Sequence, residues 1–162
     1  MIAYTSLCGA EGKADYSLKV HDSYKKQIGQ VLEEFRAAIV AKDRESLTKL
    51  AFSGTIPCVP VLDAASLVNS RAKNPRETRA SLGSYAEFVD SIVLSTEQDQ
   101  ENFSNITILT DGTIANVYFE YTFSVDGKIT NGGHETWALV NTDDGWKITS
   151  IIWSIALAPQ KS

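Results

Sequence analysis

Between Glu101 and Ile155 the chain passes three Asp-Gly pairs, Asp111-Gly112, Asp126-Gly127 and Asp144-Gly145, each set between runs rich in β-branched and aromatic residues. Asp-Gly flanked by alternating apolar residues is the strongest short-range sign of a β-hairpin, because a type I′ turn needs φ > 0 at both central positions. Four strands joined by three tight turns make an antiparallel meander. One face of such a meander has to be covered, so the residues before it must supply the cover.

They are patterned for that task. Asp22 or Ser23 can cap a helix in which Ile28, Val31, Leu32, Phe35 and Ile39 share one face, while Lys25, Lys26, Gln30, Glu33 and Glu34 take the other. Asp43 caps a second, short helix with Leu47, Leu50 and Ala51 inward, ended by Ser53-Gly54. Residues 55–62, TIPCVPVL, read as a strand, and Pro57 and Pro60 confine it to an edge or a bulged position because they donate no ladder bond. Residues 63–80 are polar, basic and interrupted by Asn74-Pro75, and are expected to form an irregular loop or lid. Ser84-Tyr85-Ala86-Glu87 is a capping box opening a third helix, with Tyr85, Phe88, Val89, Ile92 and Val93 on its buried side. Residues 1–21 carry no helical or strand period and read as an N-terminal arm ending at His21, so a single domain is expected over 22–157.

A two-residue turn at Asp111-Gly112 would pair Thr110 with Thr113 and, further along, Ser104 with Phe119 and Asn102 with Tyr121. Ala115, Val117, Phe119, Tyr121 and Phe123 then form the covered face. Beyond Asp126-Gly127 the register forks. Simple pairing sets His134 beside Phe119, whereas a bulge at Gly132-Gly133 would turn Glu135, Trp137 and Leu139 inward instead. The last strand looks apolar on both sides, with Trp146, Ile148 and Ile152 one way and Ile151, Trp153 and Ile155 the other. A second apolar face calls for a partner, and a homodimer through the sheet face is the economical one.

The net charge of −5 argues against a nucleic-acid partner, which normally meets a basic face. The one basic cluster, Arg71, Lys73, Arg76 and Arg79, reads as a solvated loop. No apolar run approaches the ~18 residues of a membrane span. Cys8 and Cys58 are too few for a disulfide framework and lack metal-ligand spacing, so no metal and no cofactor is expected. Residues 1–10 are apolar and end in small residues but lack a basic start. A cytoplasmic location is favoured, and a periplasmic or secreted one applies if those residues are the remnant of an export signal.

The order helix, short helix, strand, helix, meander resembles the nuclear transport factor 2-like superfamily, in particular its bacterial SnoaL-like branch. The residues that carry the resemblance are Ala41-Lys42-Asp43 with Ser46 to Phe52, the run from Asp111 to Val117, Phe119 to Phe123, and Gly145-Trp146-Lys147-Ile148 followed by Ser154. They spread over about residues 23–156. The resemblance implies an α+β, cystatin-like fold: a cone of three N-terminal helices on a curved antiparallel sheet, with a pocket at its open end and dimerisation through the outer sheet face. It leaves activity open, since the branch holds isomerases, polyketide cyclases, dehydratases, hydrolases and plain binding proteins. Steroid isomerase members carry a carboxylate base on the strand after the second helix, where this chain has Ile56 to Val61 without one. Dehydratase members pair a carboxylate with two histidines, and here only His134 lies within the fold.

Several side chains are candidates for a site. Tyr121 presents a hydroxyl on the covered face, either to a ligand or to a backbone carbonyl. Glu135 is a surface carboxylate in the simple register, which the rarity of buried Glu favours; turned inward it would have a raised pKa suited to general-base work. His134 takes the face that Glu135 leaves and would be a base only if inward and partnered. Phe119, Trp137, Trp153 and Phe88 are expected as pocket wall around them. The expected role is small-molecule binding, with cofactor-independent isomerase, cyclase or hydrolase chemistry through Glu135 or His134 with Tyr121, or a dimeric interaction module, as alternatives.

Overall fold

The computed structural model describes residues 22–159; the arm expected over 1–21, with Cys8 and His21, lies outside the described residues. The elements are α1 (Asp22–Ala41), α2 (Arg44–Leu50), β1 (Pro57–Leu62), α3 (Ala64–Lys73), β2 (Gly83–Ser84), α4 (Tyr85–Val93), β3 (Asp99–Thr110), β4 (Ile114–Val125), β5 (Lys128–Thr142) and β6 (Gly145–Leu157). The strands form one sheet in the order β2-β1-β6-β5-β4-β3. It is mixed rather than wholly antiparallel, because β1 runs parallel to β6. Four helices are present among the described residues, one more than the sequence suggested. The additional one, α3, occupies the stretch expected to be irregular: Asp63 Oδ1 accepts from Ser66 N at 2.7 Å and caps it, and Leu67 seats it against the body.

The other helices form as their patterns require. Ile28, Val31, Leu32, Phe35, Ala38 and Ile39 of α1 are buried against the sheet. Asp43 caps α2, and the Ser84–Glu87 capping box opens α4, whose Tyr85 donates to Leu47 O at 2.9 Å and ties α4 to α2. Pro60 of β1 falls where its missing donor costs nothing. Leu62 N donates outward to Arg79 O, and Pro60 O accepts from Ser81 N, so even-numbered residues of β1 face the outer edge and Pro60 lacks only an outward donor.

Register is set by three bulges, and each one exchanges the two faces of the strand beyond it. The Asp111-Gly112 turn is longer than two residues: Thr110 pairs with Ala115, and Asp111 Oδ1 accepts from Thr113 N and Ile114 N. In β3, Asn105 and Ile106 together interrupt the pairing with β4. Asn105 takes φ +52°, a left-handed conformation that asparagine tolerates. The expected pairs of Ser104 with Phe119 and Asn102 with Tyr121 are therefore not made; Phe103 pairs with Tyr121, and Glu101 and Phe103 turn inward. In β5 the extra residue is Thr130, not Gly132-Gly133, and Thr130 Oγ1 donates to Phe123 O at 3.2 Å across the gap. In β6 it is Thr149, whose Oγ1 donates to Ala138 O at 3.1 Å. This last bulge removes the two-sided apolar strand from which a partner was argued. Trp146, Ile148, Ile151, Trp153 and Ile155 all pack inward to some degree, and Ile152 is the exposed isoleucine of β6.

Candidate functional site

A chamber of about 210 Å³ lies between the inner face of the sheet and helices α1 and α4. Phe35, Phe88, Phe123, Ile151, Trp153 and Ile155 give it apolar walls, and Glu101, Tyr121, Asn131, Glu135 and Cys58 also line it. The two glutamates are each only 5% exposed. Their carboxyl groups hydrogen-bond each other, which requires that one of them carry a proton. Trp137 Nε1 donates to Glu135 Oε2 at 2.6 Å and fixes its orientation from beneath the chamber. Behind Glu101, Arg36 Nε donates to the Glu101 backbone carbonyl at 3.1 Å.

Burial pushes the Glu101 carboxyl well above the usual carboxylate range, the neighbouring Glu135 charge and shared hydrogen bond push it further, and Arg36 opposes them only in part. Burial raises Glu135 to about 7, against the hydrogen bonds from Trp137 and Glu101 that favour its ionised form. The pair therefore still shares at least one proton near neutrality. Burial, and then the charges of Glu135 and Glu101, lift the Tyr121 phenol above its ordinary value, so it stays protonated. Its hydroxyl lies 2.9 Å from Ser154 O and 3.0 Å from Asn131 Oδ1. Burial and the Glu135 charge push the Cys58 thiol up to about 12, which leaves it a packing group and not a nucleophile.

Gly132 and Gly133 serve this arrangement differently from the expected bulge. A Cβ on Gly132 would stand 2.8 Å from Tyr121 O, and one on Gly133 would overlap the Ser154 carbonyl. Without side chains there, the Ser154 carbonyl turns to meet Tyr121, and His134 N takes Ser154 Oγ in its place at 2.9 Å.

The residues singled out in the sequence separate accordingly. Glu135, Tyr121, Trp153 and Phe88 line the chamber. Phe119 and Trp137 are fully buried beneath it, with ring centroids 5.3 Å apart. Glu135 is not the surface carboxylate that the simple register favours. His134 is on the outer face, stacked on Tyr118 at 5.4 Å with Nε2 3.8 Å from Glu120 Oε1, and does not reach the chamber. Glu101 was missed because a register without a bulge in β3 places it outward. A signal was present: that register buries Asn102 and Ser104 while exposing Phe103, a conflict that a bulge at Asn105 resolves. Among the described residues no three His, Cys, Asp or Glu side chains gather as a metal site.

An α+β sheet whose inner face encloses an apolar chamber with paired carboxyls at its base defines the class of protein. No family model and no curated protein matches the sequence. Solved structures do match. A nuclear transport factor 2-like family protein from Streptomyces avermitilis, provisionally described as a dehydratase, is similar with a TM-score of 0.62 and 22% identity over 85% of this chain and 99% of that one. A nuclear transport factor 2-like protein of unknown function from Pseudomonas putida gives 0.63 at 11% identity, covering 87% and 99%. A cystatin-like fold protein from Burkholderia xenovorans gives 0.54 at 19% identity, covering 85% and 95%. The chain has the nuclear transport factor 2-like fold.

Proposed function

We propose that the protein binds a small, largely apolar organic molecule in the chamber and moves a proton on it without a cofactor, through Glu135 and Glu101. The observation that carries this reading is the pair of buried carboxyls sharing a proton on the wall of an apolar chamber. A base is most effective when its pKa lies near the working pH, and Glu135 at about 7 meets that condition. Glu135 takes a proton from a carbon next to a carbonyl, and Glu101 supplies one elsewhere on the molecule. If the second proton goes to another carbon the result is an isomerisation. If it goes to a departing hydroxyl, water leaves, and the proton left on Glu135 passes to Glu101 to reset the pair. An elimination is also in keeping with the description of the similar Streptomyces avermitilis protein.

Binding without chemistry is the second reading, favoured by Tyr121, whose hydroxyl already has two protein partners. The readings separate in deuterated water. With a panel of β,γ-unsaturated and β-hydroxy ketones, proton transfer predicts isotope incorporation or water loss by NMR that Glu135→Gln abolishes. Tryptophan fluorescence that responds to the ketones with no isotope uptake leaves the binding protein. In either case the outer sheet face, with Tyr118, Ile114 and Ile152 exposed, supports a homodimer, and light scattering that finds a monomer at micromolar concentration refutes it.

A further inference from the structure

The inner face of the sheet does not end at the chamber. From Glu135 the inward positions of β5 run through Gly133 to Asn131, and those of β6 run from Ile151 through Trp153 and Ile155 to Leu157, with Asn131 opposite Leu157. Asn131 and Ile155 also line a second cleft of about 330 Å³, bounded by Leu62, Ser70, Thr78, Arg79 and Leu157. Ser66 Oγ of α3 accepts from Leu157 N at 2.8 Å and closes its far end. Chamber and cleft thus share a floor, and at ~3.3 Å per strand residue Asn131 lies about 13 Å along β5 from Glu135.

Of the one basic segment of an acidic chain, Arg71, Lys73, Arg76 and Arg79, it is Arg79 that lines this cleft, together with Glu77, the single acid of that segment. Arg79 lines the cleft. Its backbone is pinned, since Arg79 O accepts from Leu62 N at 2.8 Å, yet among the described residues its guanidinium makes no hydrogen bond or ion pair. Asp63, whose carboxylate feels the Arg79 charge, is already engaged in capping α3. Glu77, the other charged side chain of the cleft, accepts from Asn74 Nδ2 at 3.2 Å. An exposed arginine with a pinned backbone and unspent donors, lining a cleft that shares Asn131 and Ile155 with the apolar chamber, is arranged to receive an anion.

We propose that this cleft is an anion subsite, and that the molecule entering the chamber is an elongated organic acid whose anionic end Arg79 holds while its apolar body reaches Glu135. The proposal rests on the chamber being a ligand site and adds the class of ligand. Arg71, Lys73 and Arg76, close to Arg79 in sequence, add local positive charge that favours organic anions on a chain otherwise charged against them.

The test uses decanoate, whose extended chain is of the required length, against decanol as its neutral counterpart, with tryptophan fluorescence reading occupancy beside Trp153. Decanoate is expected to bind about tenfold more tightly than decanol, as one charge-assisted contact implies. Arg79→Gln is expected to bring that ratio to about one while leaving decanol binding and the melting temperature unchanged, and raised salt to weaken decanoate alone. Equal binding of the two probes by the unaltered protein overturns the anion subsite and leaves the chamber reading standing. A preference for decanoate that survives in Arg79→Gln overturns the assignment to Arg79. No response to either probe removes the chamber as a ligand site, and this proposal with it.

Discussion

Replacing Glu135 with Gln gives the sharpest reading of the carboxyl pair, because amide and acid have nearly the same shape and differ in what they do with pH. The ordinary glutamate value is 4.5 and in the folded chain Glu135 is raised to about 7. A group raised on folding keeps its proton after the unfolded chain has lost its own. The stability it contributes is complete below pH 4.5 and is lost as pH rises through 7. At about 1.4 kcal/mol for each tenfold change, the difference amounts to about 3 kcal/mol between pH 4.5 and pH 8. Glu135→Gln should therefore match the unaltered protein near pH 4, where the glutamate is neutral in both folded and unfolded chains, and exceed it by about 3 kcal/mol at pH 8. In a chain of this size that is a difference of about 6–12 °C in melting temperature. Relief of the neighbouring charge also lets Glu101 ionise more easily in the variant, which adds in the same direction. Thermal melts followed by circular dichroism from pH 4 to 8.5 measure it. Two curves that stay parallel across that range would refute the shared-proton pair.

Trp137→Phe removes the donor to Glu135 Oε2, so Glu135 should titrate higher still, and the unfolding free energy above pH 7 should fall by about 2 kcal/mol or more in urea titrations. Gly133→Ala forces a methyl group onto the Ser154 carbonyl and should cost at least about 2 kcal/mol by the same measurement. Lys42 Nζ reaches Ser95 O at 2.6 Å and Asp99 Oδ2 at 3.2 Å, so Lys42→Met should leave the buried Asp99 side chain without its cation and cost about 2 kcal/mol by the same measurement. With Cys8 replaced by Ser, Cys58 at about 12 should resist a disulfide reagent at pH 8 until the chain is unfolded, since roughly one thiol in ten thousand is ionised there.

How far the sequence could be read depends on whether a feature is local. The caps at Asp43 and Ser84, the α1 stripe from Ile28 to Ile39 and the inward alternation from Ala115 to Tyr121 each need only a few neighbouring residues, and each is found in the structure. Helix α3 is local too, but Asn74-Pro75 and the Arg and Lys around it suggested a loop. Its cap at Asp63 outweighed its weak amphipathicity. Register is not local. It is the sum of turn length and every bulge between the turn and the residue in question, so a single uncounted residue turns each side chain beyond it to the other face. That is why Tyr121, close to a well-patterned stretch, could be placed from sequence, while Glu101, beyond a bulge from its turn, could not.

The same bulges explain why this fold can hold two carboxyls in an apolar chamber at all. Without the extra residue at Asn105–Ile106, Asn102 would face inward and Glu101 would be solvated. Without Thr130, His134 would stand beside Phe119 and Glu135 would be on the outer face, and without Thr149, Ile152 would replace Trp153 and Ile151 inside. A bulge disrupts the ladder, and here that loss is met by side chains at each position: Asn105 Nδ2 on Glu120 Oε2, Thr130 Oγ1 on Phe123 O and Thr149 Oγ1 on Ala138 O. Three separately stabilised irregularities thus converge on one arrangement, in which Glu101, Glu135 and Trp153 share a face. A sheet selected only to cover α1 has no need of the first two, because burying Asn102 or His134 would cost less than burying a pair of carboxyls. The parity of the strands, set by these three bulges, is what brings the carboxyl pair onto one face inside the chamber.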